Sequence, residues 1–280
     1  MNILLEYIKI LRPINMLLAS LSVIITAYLT ETLSKPTIII NAIIVVSLFV
    51  GASNILNDIF DVRIDKKNKP QRPLAAKKIS IISAWIYLII LYFVGILISF
   101  KLSSLATIIA LFIALPLLLA YTPFIKGIPI MGNMVVALLL GVVFLFSEAA
   151  FTNTINIMWM PAVLAFSLML IREIIKDIED LKGDMSDNVK TFPVLYGINS
   201  SLQIVYFLIV FFCILWWLPY FKGVYGNVYA FLLLLGVEIP LIFCIFFLLK
   251  NPTSSGCALV SRAMKWITFN GMITILCSSL

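Results

Sequence analysis

The chain contains no histidine at all. That absence rules out an imidazole general base, an imidazole metal ligand and the usual side-chain pH switch near neutrality. Charge is nearly as scarce, with Asp, Glu, Lys and Arg together at 12% of residues against about 25% in a soluble domain. Cysteine is confined to Cys213, Cys244, Cys257 and Cys277, scattered and with no Cys-x-x-Cys spacing. They read as packing residues, which excludes a disulfide framework and a thiolate metal site. The opening stretch MNILLEYIKILRP has no small-residue cleavage site, so the first apolar run is expected to stay in the mature protein.

What is abundant is apolar surface, 62% of 280 residues. A helix needs about 20 mainly apolar residues to cross a bilayer. Nine such runs are expected, near 12–32, 37–57, 79–100, 103–122, 128–150, 156–175, 200–220, 227–249 and 258–280. The sequence therefore predicts an all-α, polytopic membrane protein of about nine transmembrane helices, one domain over 1–280. Arg262 and Lys265 inside the last run must snorkel to the interface. With nine spans and a cytoplasmic N-terminus, Lys35, Lys101 and Lys222 are the lysines left outside, and the rest of the 20 basic residues fall inside. That bias fixes the orientation. The net charge of +7 thus follows from topology and anionic headgroups, and no nucleic-acid partner is needed.

Two connections are long, 61–78 and 176–199, both on the inner side, and they hold much of the acid in the chain. The first is entered through NDIFDVRID, 57–65, where Asp58, Asp61 and Asp65 stand at i, i+3 and i+7. On a helix those three share a face, with Asn57, Asp61 and Asp65 forming a second row. Nine helical residues rise only about 12 Å, and two like charges 5 Å apart repel by about 3 kcal/mol at an effective dielectric of 20. Something positive belongs there. The second connection repeats the pattern in REIIKDIEDLKGD, 172–184, where Asp177, Asp180 and Asp184 superpose on Asp58, Asp61 and Asp65 under one shift. KPQRPL at 69–74 is loosely echoed by KTFPVL at 190–195. This is an internal repeat, consistent with two related helical halves around a central polar cavity open to the cytoplasmic side.

A single acidic helix end would be an ordinary solvated cap. Two with matched spacing oppose the helix dipole twice and are interleaved with Arg63, Arg72, Arg172, Lys176 and Lys182. Oxygen-only ligands without histidine or cysteine suit Mg²⁺. That ion shares its shell with substrate phosphates, and the neighbouring cations would hold the remaining phosphate charge.

Asn57-Asp58-x-x-Asp61-x-x-x-Asp65 and Asp177-x-x-Asp180-x-x-x-Asp184, at the inner helix ends of a nine-span chain, resemble the UbiA superfamily of intramembrane prenyltransferases. The resemblance implies Mg²⁺-dependent transfer of a prenyl group from an allylic diphosphate to a lipophilic acceptor in the membrane, with no obligate protein partner. It implies Asn57, Asp61, Asp65, Asp180 and Asp184 as the catalytic, metal-binding set, with Asp58 and Asp177 completing the metal motifs. Arg63, Arg72, Lys126, Arg172, Lys176 and Lys182 would hold the diphosphate. The segment AYTPFIKGIPIMGN, 120–133, is similar to the family's link between the fourth and fifth spans, which places Tyr121, Lys126 and Asn133 at the cavity.

LRPINMLLASLSVI at 11–24, with Arg12-Pro13-x-Asn15, is similar to archaeal members that make ether lipids. That implies transfer of geranylgeranyl to the hydroxyl of geranylgeranylglyceryl phosphate with release of pyrophosphate, Arg12, Asn15, Tyr121, Lys126 and Asn133 meeting the acceptor. Prenylation of a quinone precursor, 4-hydroxybenzoate or dihydroxynaphthoate, is the alternative within the same chemistry. A cation-coupled transporter is the alternative of another class, resting on Glu238 in mid-span beside Pro240. Its ligands would lie at the midplane, whereas these aspartates cluster at one interface.

Overall fold

The computed structural model describes residues 3–186 and 189–278, and every regular element among them is helical. The helices are α1 Ile3–Ile10, α2 Pro13–Leu29, α3 Pro36–Phe60, α4 Val62–Asn68 and α5 Ile81–Ser99. They continue as α6 Ser104–Ile125, α7 Met131–Thr152, α8 Trp159–Ser186, α9 Phe192–Trp216, α10 Asn227–Lys250 and α11 Ser254–Leu276. Each of the nine apolar runs coincides with a helical segment. Among the described residues six helices are long and apolar enough to cross a bilayer, and the pair α1–α2, bent by 52°, would make a seventh. The chain is a multi-pass membrane protein. The two runs that fall short are α8, which carries the second aspartate row, and α11, which carries Arg262 and Lys265.

By its internal contacts the chain divides into two compact units, Met1–Ile125 with Val142–Met158, and Lys126–Gly141 with Trp159–Leu280. Each unit holds one aspartate row. In the first, α3 is the central helix, packed by α2 and α5 over Ala42, Val45, Phe49, Ala52 and Ile55, all buried. Lipid tails are as apolar as leucine, so close packing of small residues does the work that water does elsewhere. Gly95 shows it: a Cβ there would lie 2.7 Å from the Phe49 ring. The opposite face of α5, with Ile82, Ile86, Ile89 and Phe93, is exposed, as a lipid-facing stripe of helical period should be. In the second unit α8 is central, packed by α9 and α11. Its buried stripe Ile171, Ile174, Ile175 and Ile178 runs up to the aspartates.

Among the described residues three wide π turns interrupt the spans, at Ile109–Ala114, Tyr121–Ile125 and Leu234–Glu238. The second contains Pro123, and the first and third are followed two residues later by Pro116 and Pro240. A proline has no N–H and collides with the carbonyl four residues earlier. For Pro240 that carbonyl belongs to Gly236, and Asn270 Nδ2 donates to it at 3.1 Å. Inside a membrane such a freed group must find a partner, and α11 supplies it.

Candidate active site

In the first unit the aspartate row does not lie on one unbroken helix. α3 ends at Phe60, Asp61 turns the chain with φ −85° and ψ 3°, and α4 begins at Val62. The break has an electrostatic consequence. An uninterrupted helix would set three carboxylates against the negative end of its dipole, whereas here Asp65 falls in the first turn of α4, where negative charge is favoured.

The positive partners that the crowding demands are present. Arg12 Nη2 donates to Asp58 Oδ1. Arg72 Nη1 donates to the same oxygen at 3.2 Å and to Asp65 Oδ2 at 2.6 Å. Asp58 and Asp65 are buried, and burial pushes the Asp65 carboxyl up while Arg72 pulls it down. Arg12 is positioned by its backbone: it sits between α1 and α2 with φ 53°, an uncommon conformation for a residue with a Cβ. Pro13 follows at the helix start, and Asn54 Nδ2 donates to the Leu11 carbonyl at 2.9 Å. Glu6 fixes α1 from the other side, accepting from Lys9 at 2.9 Å and Lys78 at 3.2 Å. Asn57 Oδ1 accepts from the Thr122 hydroxyl. Thr122 is buried in the π turn that begins at Tyr121. Asn15 and Arg63 are exposed, and Asp61 and Tyr121 are half-buried.

The second row, Asp177, Asp180 and Asp184, lies on the single helix α8. Twenty-eight residues rise about 42 Å, more than a hydrocarbon core of about 30 Å. The row's partners are of a different kind. Asn133 Nδ2 donates to Asp177 Oδ2 at 2.8 Å. The Thr191 hydroxyl donates to Asp184 Oδ2 at 3.0 Å. Thr191 stands at the cap position of α9 yet makes no side-chain capping bond; its hydroxyl serves the carboxylate instead. Asp177 lies past the apolar run, and burial pushes its carboxyl up to about 7, against the pull of Asn133. Asp184 is raised in the same way, with Thr191 and then Lys126 opposing. Arg172 Nη1 pairs with Glu173 at 2.7 Å, and Lys176 lies 3.7 Å from the same carboxylate. Lys126 is half-buried and Lys182 exposed.

Thus the structure gathers Arg12, Asp58, Arg72 and Asp65 into one cluster, Asn57 with Thr122 into a second, and Asn133 with Asp177 into a third. Arg172 and Asn133, expected at substrate, each bond a carboxylate of their own unit. Sequence reasoning missed Asn54, Thr122 and Thr191. Only Thr191 carried a signal, as a threonine two residues before Pro193, and it pointed to a helix cap.

The donor set suits Mg²⁺ more than any softer ion. It is all oxygen, and among the described residues no three carboxylates converge into a cage. Mg²⁺ takes one or two carboxylates and completes its shell with water and substrate phosphate, which an open row allows and a closed cage would not.

Fold and site together define a polytopic α-helical membrane protein with a repeated, oxygen-rich helix end. The chain belongs to the UbiA prenyltransferase family, whose model matches residues 17–268. It is 36% identical to the digeranylgeranylglyceryl phosphate synthase of Methanococcus maripaludis strain C7, covering 98% of each chain. With the enzyme of the same name from Saccharolobus solfataricus it shares 35% identity, over 98% of this chain and 97% of that one. A solved structure of digeranylgeranylglyceryl phosphate synthase superposes with TM-score 0.80 at 32% identity, over 100% of this chain and 99% of the other. A UbiA homologue from Archaeoglobus fulgidus, solved with GPP and Mg²⁺, shares the fold at TM-score 0.73 and 18% identity, over 96% and 99% of the two chains.

Proposed function

We propose that the chain is a Mg²⁺-dependent prenyltransferase of archaeal ether-lipid synthesis. It transfers geranylgeranyl from its diphosphate to the hydroxyl of geranylgeranylglyceryl phosphate and releases pyrophosphate. The observation that carries this reading is the near full-length similarity to synthases named for that reaction, joined to both aspartate rows. The functional unit is the whole of 1–280, with the motifs at 57–65 and 177–184 each offering oxygens for metal and diphosphate. Nine crossings, a cytoplasmic N-terminus and a cytoplasmic active site complete the reading, supported by the distribution of lysine and arginine.

Asn57, Asp61, Asp65, Asp180 and Asp184 would hold the metal, with Asp58 and Asp177 completing the motifs. Mg²⁺ held there would supply positive charge for the departing diphosphate. Arg63, Arg72, Lys126, Arg172, Lys176 and Lys182 supply the remaining cationic field. The allylic C–O bond breaks with its electron pair going to the diphosphate. The acceptor oxygen then forms the new C–O bond to the allylic carbon. Its proton passes to the released pyrophosphate or to a carboxylate of the rows, since the chain has no histidine to take it. An ionisation-first path tolerates a weak nucleophile, provided that water is kept from the cation. Arg12, Asn15, Tyr121, Lys126 and Asn133 orient the acceptor.

The test is direct. Purified protein is given labelled geranylgeranyl diphosphate with geranylgeranylglyceryl phosphate or with 4-hydroxybenzoate. Product is expected from the glycerol phosphate ether. Robust prenylation of 4-hydroxybenzoate with none of the ether phosphate would replace the acceptor and leave the prenyltransferase class standing.

A further inference from the structure

Asp58 and Asp65 are buried to 2% and 4% exposure, and a carboxylate so placed persists only when paired. Their partners are two guanidinium groups. Arg12 is committed to Asp58 alone among the bonds described, whereas Arg72 bridges Asp58 at 3.2 Å and Asp65 at 2.6 Å. Two guanidinium groups thus face two buried carboxylates; burial raises the Asp65 carboxyl, and Asp61 adds negative charge that raises it further. The Asp65 oxygen that faces Arg72 cannot offer the same lone pair to a metal ion.

We propose that Arg72 is a two-position cation, tethered by Asp58, that occupies Asp65 until a diphosphate arrives and then turns to the diphosphate. This rests on the metal-and-diphosphate reading above. When Asp65 turns to a divalent ion, Arg72 is left with half a partner, because Asp58 already serves Arg12. The uncompensated charge favours the anion that accompanies the metal. Asp58 is a positioning residue here: it accepts two guanidinium bonds on one oxygen and keeps Arg72, whose side chain is 20% exposed, from turning out to water. Metal and diphosphate then bind cooperatively, because either one alone leaves a charge unpaired.

The consequence separates metal affinity from substrate affinity. In the metal-depleted full chain in detergent, Mn²⁺ binding without diphosphate is measured by electron paramagnetic resonance for wild type, Arg72→Gln and Asp58→Asn. Arg72→Gln frees Asp65, so Mn²⁺ should bind several-fold tighter than to wild type. The KM for geranylgeranyl diphosphate should rise about tenfold, the loss of one charge-assisted hydrogen bond. Asp58→Asn removes the tether, so it should raise the same KM although Arg72 is still present. A purely structural role for Arg72 would weaken both. Should Arg72→Gln fail to fold, Arg72→Lys keeps the charge but loses the fork that spans two carboxylates; it should move both constants in the same directions by less. Mn²⁺ affinity unchanged or weakened in the Arg72 variant overturns the two-position role while the prenyltransferase reading stands. Wild type that binds no diphosphate overturns the functional reading itself.

Discussion

Asn133→Leu tests the electrostatics of the second row. The Asn133 amide donates at 2.8 Å to Asp177, a carboxyl that burial holds near 7 against about 3.9 in the unfolded chain. A hydrogen bond to a charged acceptor contributes about 1.5–3 kcal/mol and one to a neutral acceptor about 0.5–1.5. Removing the amide therefore costs about 1 kcal/mol more where Asp177 is ionised than where it is protonated. The sign follows from linkage. The folded state prefers the protonated carboxyl, so this group's contribution to stability is full below about pH 4 and is lost as pH rises through about 7. In the variant the loss should continue to higher pH, because each pKa unit corresponds to 1.36 kcal/mol. Thermal melting of EDTA-treated protein in detergent, from pH 5 to pH 9, reads the effect. Asn133→Leu should fall behind wild type by roughly a further 2 °C between the two ends, and Asp177→Asn should flatten the wild-type dependence. If the two melting curves stay parallel across that range, Asn133 does not hold Asp177 as described.

Three other outcomes follow. Asp61→Ala and Asp180→Ala should each lower prenyl transfer by about 10²–10³ with melting largely retained; near-normal turnover in either would show that its row is not needed for transfer. Thr191→Val removes the hydroxyl that offsets the burial of Asp184, so protons should compete better with metal: the Mg²⁺ needed for half-maximal rate should increase more at pH 6 than at pH 8, and an equal change at both would refute it. Lys126→Glu should raise the acceptor KM more than the diphosphate KM, measured with geranylgeranylglyceryl phosphate; the reverse order would assign Lys126 to the diphosphate.

The helices were legible because membrane spans write themselves as long apolar runs, and the aspartate rows because charge is so rare that a repeated spacing stands out. The break at Asp61 was not legible. A strict i, i+3, i+7 spacing fits an unbroken helix and a helix broken at its middle member equally well, and only the dipole argument distinguishes them. The π turns were not foreseen either. Pro116, Pro123 and Pro240 announce disturbed backbone, but whether a proline kinks a span or widens it depends on a partner for the freed carbonyl. For Gly236 that partner is Asn270, 34 residues away. The pairing of Arg12 with Asp58 spans 46 residues, and nothing local foretells it.

The repeat holds in spacing and fails in surroundings, and the failure is informative. Asp58 and Asp65 are held by guanidinium groups, which cancel their charge. Asp177 and Asp184 accept hydrogen bonds from an amide and a hydroxyl, and the charges of Lys176 and Lys126 also favour their ionised forms. Two rows with identical compensation would compete equally for a metal ion and for an anion. Direct guanidinium pairs therefore set the first row apart. If Arg72 turns as proposed, the first row gives up a guanidinium contact when a metal ion binds, and that guanidinium is then available to a phosphate. Equal spacing sets where the oxygens stand along each helix end; the partners would decide which end gives up positive charge to a metal diphosphate.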